Sequence, residues 1–309
     1  MPSRFLKLVN MELSNGTKSI GALVENDRKV VDLCALEPNI PRDMKSFLNG
    51  GMKLLNLASH TLNQNISTNS IEISQVRVKA PIYDPEKIIC IGLNYKEHAI
   101  ETKMPFPSEP IVFSKYSNCI VGPNDNILAP RSILKDELDY EVELVVVMGR
   151  EARNVSKEEA LEFVAGYTVG NDVSARDWQL KRSGTQWMLG KTFDTFAPIG
   201  PAILVNPLML ANNSGACAND FDPNSLNVKC TVNGNVLQNS NTKEFIFNIQ
   251  EVISHLSKVM TLKPGDIIFT GTPSGVGLGK SPPVYLKNGD IVTCEIENIG
   301  QLVNKVKDI

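Results

Sequence analysis

Glu141 and Glu143, two positions apart, stand at the head of the run LDYEVELVVVMG (residues 138–149). Branched and apolar residues dominate the run and Gly149 ends it, which predicts a β-strand. Strand alternation places Leu138, Tyr140, Val142, Leu144 and Val146 on one face. Asp139, Glu141 and Glu143 fall on the other, where Val145 and Val147 continue. At about 3.3 Å per residue the two glutamates are roughly 7 Å apart along the strand. Carboxylates crowded at one site repel, burying them unpaired is costly, and a divalent cation removes both problems. An all-oxygen donor set suits Mg²⁺, Mn²⁺ or Ca²⁺ rather than zinc. The plainer alternative is an acidic strand start at a solvated sheet edge.

Other residues have types that fit around such a site. Asp172 ends the strand-like AGYTVGND (165–172); a carboxylate there is commonly a cap or turn residue, and it also offers a third acidic oxygen donor. His98 and Glu101, in NYKEHAIE, are i, i+3 neighbours on a predicted helical turn. They follow a buried strand (87–92) and precede Pro105, Pro107 and Pro110, where a mobile lid sits in other folds. A surface His–Glu pair is the plainer reading. Arg176 and Gln179, in SARDWQLKR, are spaced to hold a substrate carboxylate and carbonyl, against an Arg176–Asp177 surface pair. Lys191 lies in the apolar LGKTFDTFAPIGP, where a lysine needs an anionic partner or a lowered pKa. Lys115, in the strand PIVFSKY (110–116), points either into the same site or to solvent.

The glycine-rich 271–277, GTPSGVG, follows the strand DIIFT (266–270) and offers backbone N–H groups and the Thr272 hydroxyl to an anionic or enolic oxygen. It is no phosphate loop: GVGLGKS (275–281) is one residue short of that spacing and Pro282-Pro283 forbids the helix. The stretch from Gly184 to Gly190-Lys191-Thr192 is one residue too long. GVGLG does not match the dinucleotide fingerprint, and Ser274 is not centred in a nucleophile elbow.

The elements that must position these residues divide at residue 80. Residues 1–80 read as a small, strand-rich structural module: strands over 5–13, 20–25 and 29–33, a helix over 43–59 weakened by Gly50-Gly51, an Asn- and Ser-rich loop (61–70) and a strand over 71–79. Residues 81–309 carry the chemistry. There a capping box at Ser156–Glu159 predicts a helix over 157–164, and Asn233-Gly234 predicts a hairpin. Residues 247–260 predict an amphipathic helix with Ile249, Val252, Ile253, Leu256 and Val259 or Met260 inward and His255 off the stripe. A final hairpin joins 290–297 to 301–306, and residues 206–227 form a long polar loop without visible chemistry.

At 309 residues and 42% hydrophobic, the chain can bury a full core. Net charge of −3 leaves no basic surplus for nucleic acid or an anionic membrane, and no apolar run spans a bilayer. Six cysteines without CxxC or His/Cys metal spacing point to a reducing intracellular compartment, with Cys90 and Cys294 as packed thiols. The first sixteen residues have neither a secretory core nor a clear transit pattern, so the expected location is mitochondrial or cytoplasmic.

Taken together, NYKEHAIE, FSK, DYEVELVVVMG, GNDVSARDWQ, LGKTFDTFAPIGP and TGTPSGVG resemble, in order, the signatures of the fumarylacetoacetate hydrolase superfamily across about residues 85–309. The resemblance implies an α+β, predominantly β fold: a mixed β-sandwich roll with a small β-rich N-terminal domain. It also implies a homodimer and a bound Mg²⁺, with Ca²⁺ or Mn²⁺ tolerated. By motif position it makes Glu141, Glu143 and Asp172 metal ligands and His98 and Glu101 the lid acid–base pair. Lys191, Arg176, Gln179 and Thr272 would hold substrate oxygens, with Lys191 among the catalytic groups. The further aspartate ligand of the full-length hydrolases has no counterpart placed here.

Such an apparatus fits a small 2-oxo acid with a second carbonyl: a cation acts as Lewis acid on an enolate, cationic side chains hold it, and the lid pair moves a proton or activates water. Three outcomes share these parts: keto–enol tautomerisation of oxaloacetate, C–C hydrolysis of an acylpyruvate, and decarboxylation. The reading favours the tautomerase, because the animal branch most resembled is associated with it. A catalytically silent metal-binding scaffold would show a broken lid pair or a missing lysine, and His98, Glu101 and Lys191 are all present.

Overall fold

The computed structural model describes residues 5–65, 69–182, 184, 186–210 and 221–309. Cys217, the middle of the long polar loop (211–220) and part of the Asn- and Ser-rich segment (66–68) lie outside the described residues.

Among the described residues the fold is α+β and predominantly β. A large mixed sheet runs in the order β4 (Ser70–Glu72), β3 (Lys29–Asp32), β2 (Lys18–Val24), β1 (Lys7–Glu12), β14 (Ala197–Val205), β12 (Val164–Asn171), β11 (Val142–Met148), β17 (Ile267–Phe269), β6 (Ile88–Gly92) and β7 (Ile111–Lys115). Off this path, β5 (Arg77–Lys79) pairs with β1 and β8 (Ile120–Val121) with β14. A second sheet runs β16 (Asn235–Asn241), β15 (Asn227–Val232), β18 (Ile291–Ile296), β19 (Gly300–Asp308) and β9 (Asn126–Ala129). The short β10 (Leu138–Asp139) pairs with β13 (Ser174–Ala175). The helices are α1 (Leu33–Leu36), α2 (Met44–Asn49), α3 (Gly51–Asn65), α4 (Lys96–Glu101), α5 (Met188–Lys191) and α6 (Ile249–Val259).

The alternation read from the acidic run sorts side chains into two cores. Leu138, Tyr140, Val142, Leu144 and Val146 join the core shared with the second sheet, alongside Val228, Cys294 and Leu302. Val145 and Val147 join the core shared with α2 and α3, alongside Phe47, Leu48 and Leu55. With both faces covered, β11 and β12 are buried along their whole length, which is why their sequences run apolar rather than alternating. The N-terminal strands continue the main sheet through the β1–β14 pairing at Leu8↔Ile203.

Several local expectations are corrected. The acidic strand breaks at Tyr140 and Glu141, where side chains replace the ladder: Glu141 N donates to Asn171 Oδ1 (3.0 Å) and Val142 N to Gln238 Oε1 (3.0 Å). The 43–59 helix is two helices hinged at Gly50-Gly51, Gly51 taking φ +56°, and the second runs on to Asn65 into the segment read as loop. The strand over 71–79 is split by a 3₁₀ turn (Ile73–Gln75). Ser156 and Glu159 do bond (2.9 Å), but the turn they open becomes a 3₁₀ segment, Ala160–Phe163, rather than an α-helix. In α6 the capping box of Asn248 and Glu251 forms; Val259 is exposed, and Met260 is the residue packed on the core. The Asn233-Gly234 hairpin forms as read, both residues at positive φ. The final hairpin, β18 with β19, also forms.

Candidate metal centre and active site

The break in the acidic strand faces the end of β12. Asp172 N donates to Glu141 O (2.8 Å), so the chain leaving β12 delivers Asp172 against the two glutamates. Glu141, Glu143 and Asp172 are all buried, and one carboxylate oxygen from each lies within 4.8 Å of the others. The solvated-edge reading of these acids therefore fails.

Three cations are buried with them. Lys191 Nζ reaches Glu141 Oε2 (2.9 Å) and Asp172 Oδ2 (2.8 Å). Lys115 Nζ reaches Asp172 Oδ1 (2.7 Å) and donates to the carbonyls of Val173, Lys191 and Phe196. Of its two readings, Lys115 takes the inward one. Arg176 contacts Glu141 Oε1 (2.6 Å) and Asp139 Oδ2 (2.8 Å), and donates from Nη1 to Gln179 Oε1 (2.8 Å). The Arg176–Asp177 surface pair does not form; Asp177 is buried and faces Arg182 (2.9 Å).

Electrostatics divides the glutamates. Burial opposes charge on Glu141, but Lys191 and Arg176 outweigh it and hold its pKa down at about 2. Burial pushes Glu143 well above the usual carboxylate range, and Asp172 and Glu141 add to the shift. Burial also opposes charge on Lys191, and Asp172 and Glu141 overcome it and raise its pKa. This settles its alternatives: Lys191 has anionic partners rather than a lowered pKa.

The donor set fits a hard divalent cation: three buried carboxylates, all oxygen. Glu143 is the telling member. Among the described residues its carboxylate has no cationic partner within ion-pair distance and accepts the Gly271 N–H (2.7 Å). With all four ionised, Asp139, Glu141, Glu143 and Asp172 facing Lys115, Arg176 and Lys191 would leave one negative charge unmatched in a buried site, in line with the raised pKa of Glu143. A divalent cation would turn that deficit into one positive charge, suited to an anionic ligand.

The residues expected to form a lid meet the same cavity. α4 starts beyond an elbow pinned by Asn94, whose side chain donates to Phe247 O (3.0 Å) and Thr270 O (2.8 Å) and accepts from Phe247 N (2.8 Å). His98 Nδ1 lies 3.2 Å from Glu101 Oε2, and both Glu101 oxygens accept the Gly275 N–H (3.0 and 3.1 Å). The glycine-rich loop thus tethers α4. Asp139 holds the other part of that loop, accepting from Gly277 N (2.7 Å), Leu278 N (3.0 Å) and Arg176 Nε (2.9 Å). Gly271 sits at φ +103°, a left-handed conformation that turns its N–H toward Glu143. The Thr272 hydroxyl donates to Val142 O (2.9 Å) and accepts from Gln238 Nε2 (2.8 Å).

The cavity these elements enclose measures ≈ 210 Å³ and is lined by His98, Glu141, Arg176, Gln179, Lys191 and Thr272 together with an apolar wall that includes Phe113 and Trp187. All of the sequence-derived site residues therefore converge. Glu143 and Asp172 lie behind the lining, and Glu101 supports His98 from the loop side. Asn94, Asn171 and Gln238 escaped the sequence reading; they act through backbone bonds made far along the chain and have no local signature. Asp139 had one, since it precedes Glu141 and Glu143 with the same two-residue spacing.

No helix among the described residues is long and apolar enough to cross a membrane. The model of the fumarylacetoacetate (FAA) hydrolase C-terminal family matches residues 87–307. A Dictyostelium discoideum fumarylacetoacetate hydrolase domain-containing protein 2 homolog is 59% identical over 94% of this chain and 93% of its own. The Bos taurus protein named oxaloacetate tautomerase FAHD2A, mitochondrial, is 44% identical over 99% of this chain and 93% of its own. Among solved structures, the fumarylacetoacetate hydrolase of psychrophilic Exiguobacterium antarcticum superposes with a TM-score of 0.82 at 32% identity, covering 98% of this chain and 100% of that one. The chain belongs to the fumarylacetoacetate hydrolase family of enzymes.

Proposed function

We propose that this protein is a divalent-cation-dependent keto–enol tautomerase of oxaloacetate, with Mg²⁺ as its ion and Ca²⁺ or Mn²⁺ as tolerated substitutes. The observation that carries the reading is the convergence on one small cavity of a buried carboxylate triad, two cations and a tethered imidazole. Glu141, Glu143 and Asp172 would hold the ion, which when bound supplies Lewis-acid stabilisation of enolate charge. Arg176 and Lys191 present positive charge to the carboxylate and enolate oxygens, and Gln179 and Thr272 border the same space. His98 carries the proton between carbon and oxygen, and Glu101, fixed by Gly275 N–H, sets the orientation of its ring. The names of the bovine, human and frog relatives, 41–44% identical over 99% of this chain, support oxaloacetate as substrate and the mitochondrion as location. Residues 1–80 serve as a structural domain beside the catalytic 81–309, and the working unit is a homodimer.

The second reading is hydrolytic C–C cleavage, with an acylpyruvate as substrate; the name of the Exiguobacterium relative favours hydrolysis. Incubation with Mg²⁺ and oxaloacetate or acetylpyruvate, followed by enol absorbance and product NMR, distinguishes the readings. Tautomerisation interconverts enol and keto forms with every carbon retained. Two fragments from acetylpyruvate would establish the hydrolase instead, and pyruvate with CO₂ from oxaloacetate a decarboxylase.

A further inference from the structure

We infer that Trp187 determines specificity: its indole forms a fixed stop in the cavity and sets the longest carbon chain a 2-oxo acid can carry there. The inference rests on reading the cavity as a 2-oxo-acid site. Phe113 contacts a charge and a second ring. The Lys191 ammonium stands 5.1 Å from the centroid of Phe113, and the Phe113 ring meets Trp187 edge-on at 5.6 Å and 70°. Both aromatic rings line the cavity. Phe113 therefore joins the ionic centre to the indole along one wall of the cavity.

The indole is held from behind by an absence. A Cβ on Gly92, in β6, would come 2.3 Å from Trp187 Cζ3 and 3.0 Å from Cη2, so only glycine lets the ring lie where it does. The next nearest atom, Ile111 Cγ2, is at an ordinary 3.5 Å. Contact with the backbone of β6 and with Phe113 makes this wall stiffer than the flexible Met104 and Leu180 side chains, which are also more than 40% exposed. Among the described lining residues the cations are Arg176 and Lys191, both engaged at the acidic end. Beyond the charged end the wall is aromatic and aliphatic, and what it admits is decided by size. At ≈ 210 Å³ the cavity is below the ~300 Å³ at which drug-sized sites begin, so the place of one wall decides which ligands enter.

The test is calorimetric titration, in the presence of Mg²⁺, of pyruvate, 2-oxobutanoate, 2-oxopentanoate and 2-oxohexanoate into wild-type protein, Trp187→Phe, Trp187→Ala, Gly92→Ala and the Gly92→Ala/Trp187→Ala double variant. One ill-fitting methylene in a tight pocket costs about 10-fold or more. Trp187→Ala is expected to raise the affinity ratio of 2-oxohexanoate to pyruvate at least ~10-fold, with Trp187→Phe in between. Gly92→Ala is expected to alter the ratio by displacing the indole, and the double variant to match Trp187→Ala, since the new Cβ then meets nothing closer than Ile111. Should Trp187→Ala fail to fold, the graded shift in Trp187→Phe carries the test. Ratios unchanged in both Trp187 variants, while pyruvate still binds, would overturn the role of Trp187 alone. Failure of wild-type protein to bind any member of the series would overturn the 2-oxo-acid reading and this inference with it.

Discussion

Replacing Glu101 by glutamine removes one charge and leaves the shape of the lid tether nearly unchanged. Glu101 accepts from Gly275 N–H at 3.0 and 3.1 Å and faces His98 Nδ1 at 3.2 Å. Burial works against its charge, yet the His98 contact and the Gly275 N–H prevail and hold its carboxyl below the usual range. Hydrogen bonds to charged groups contribute about 1.5–3 kcal/mol. With its side chain 18% exposed, solvent screening puts Glu101 at the lower end, about 1.5 kcal/mol. A depressed folded-state pKa gives stability that is full above the unfolded glutamate value, about 4.3, and lost as pH falls through the folded value. Urea denaturation of wild type and Glu101→Gln should therefore show a gap above the unfolded glutamate value that narrows as pH falls below it. Turnover should fall about 10²-fold, the low end for a disabled acid–base group, because the imidazole loses its orienting carboxylate. A gap that persists or widens in acid, or full turnover, would refute the tether.

Other expectations follow from the same contacts. Glu141→Ala or Asp172→Ala should lose Mg²⁺ binding by calorimetry and turnover together; full activity in a variant that binds no ion would exclude the triad from the chemistry. Lys191→Met severs two buried ion pairs and should lower the stability of the metal-free protein by about 3–5 kcal/mol in denaturant titration, so a midpoint near wild type would mean that the pairs contribute little. Gly279→Ala would set a Cβ 2.4 Å from Glu101 Cδ; it should displace the carboxylate and reproduce the turnover loss of Glu101→Gln, and unchanged turnover would count against the placement of the lid.

The acidic strand shows how far the sequence could be read. Its alternation separated the apolar side chains of 138–147 into the two sets that enter the two cores, because side-chain period survives the break at Tyr140 and Glu141. The break itself was not legible: it depends on Asn171 and Gln238 supplying the ladder bonds, and Gln238 lies 96 positions from the Val142 it serves. Motif residues were legible as types with a chemical purpose, and chain order alone could not say that Lys115 shares Asp172 with Lys191. The predicted helix at 157–164 failed because a capping pair opens a turn without ensuring that an α-helix follows. Trp187 passed unnoticed since its importance lies in a missing Cβ at Gly92.

The central claim is that Glu141, Glu143 and Asp172 hold an ion that, with Lys191 and His98, speeds proton transfer in oxaloacetate. The most direct measurement is the rate at which freshly added enol oxaloacetate ketonises, in wild type with Mg²⁺, in wild type after chelation and in Glu141→Ala, with carbon followed by ¹³C NMR. The account predicts acceleration only in the first case, with all four carbons retained. Undiminished acceleration in Glu141→Ala, or label lost to CO₂ or a two-carbon fragment, would contradict it.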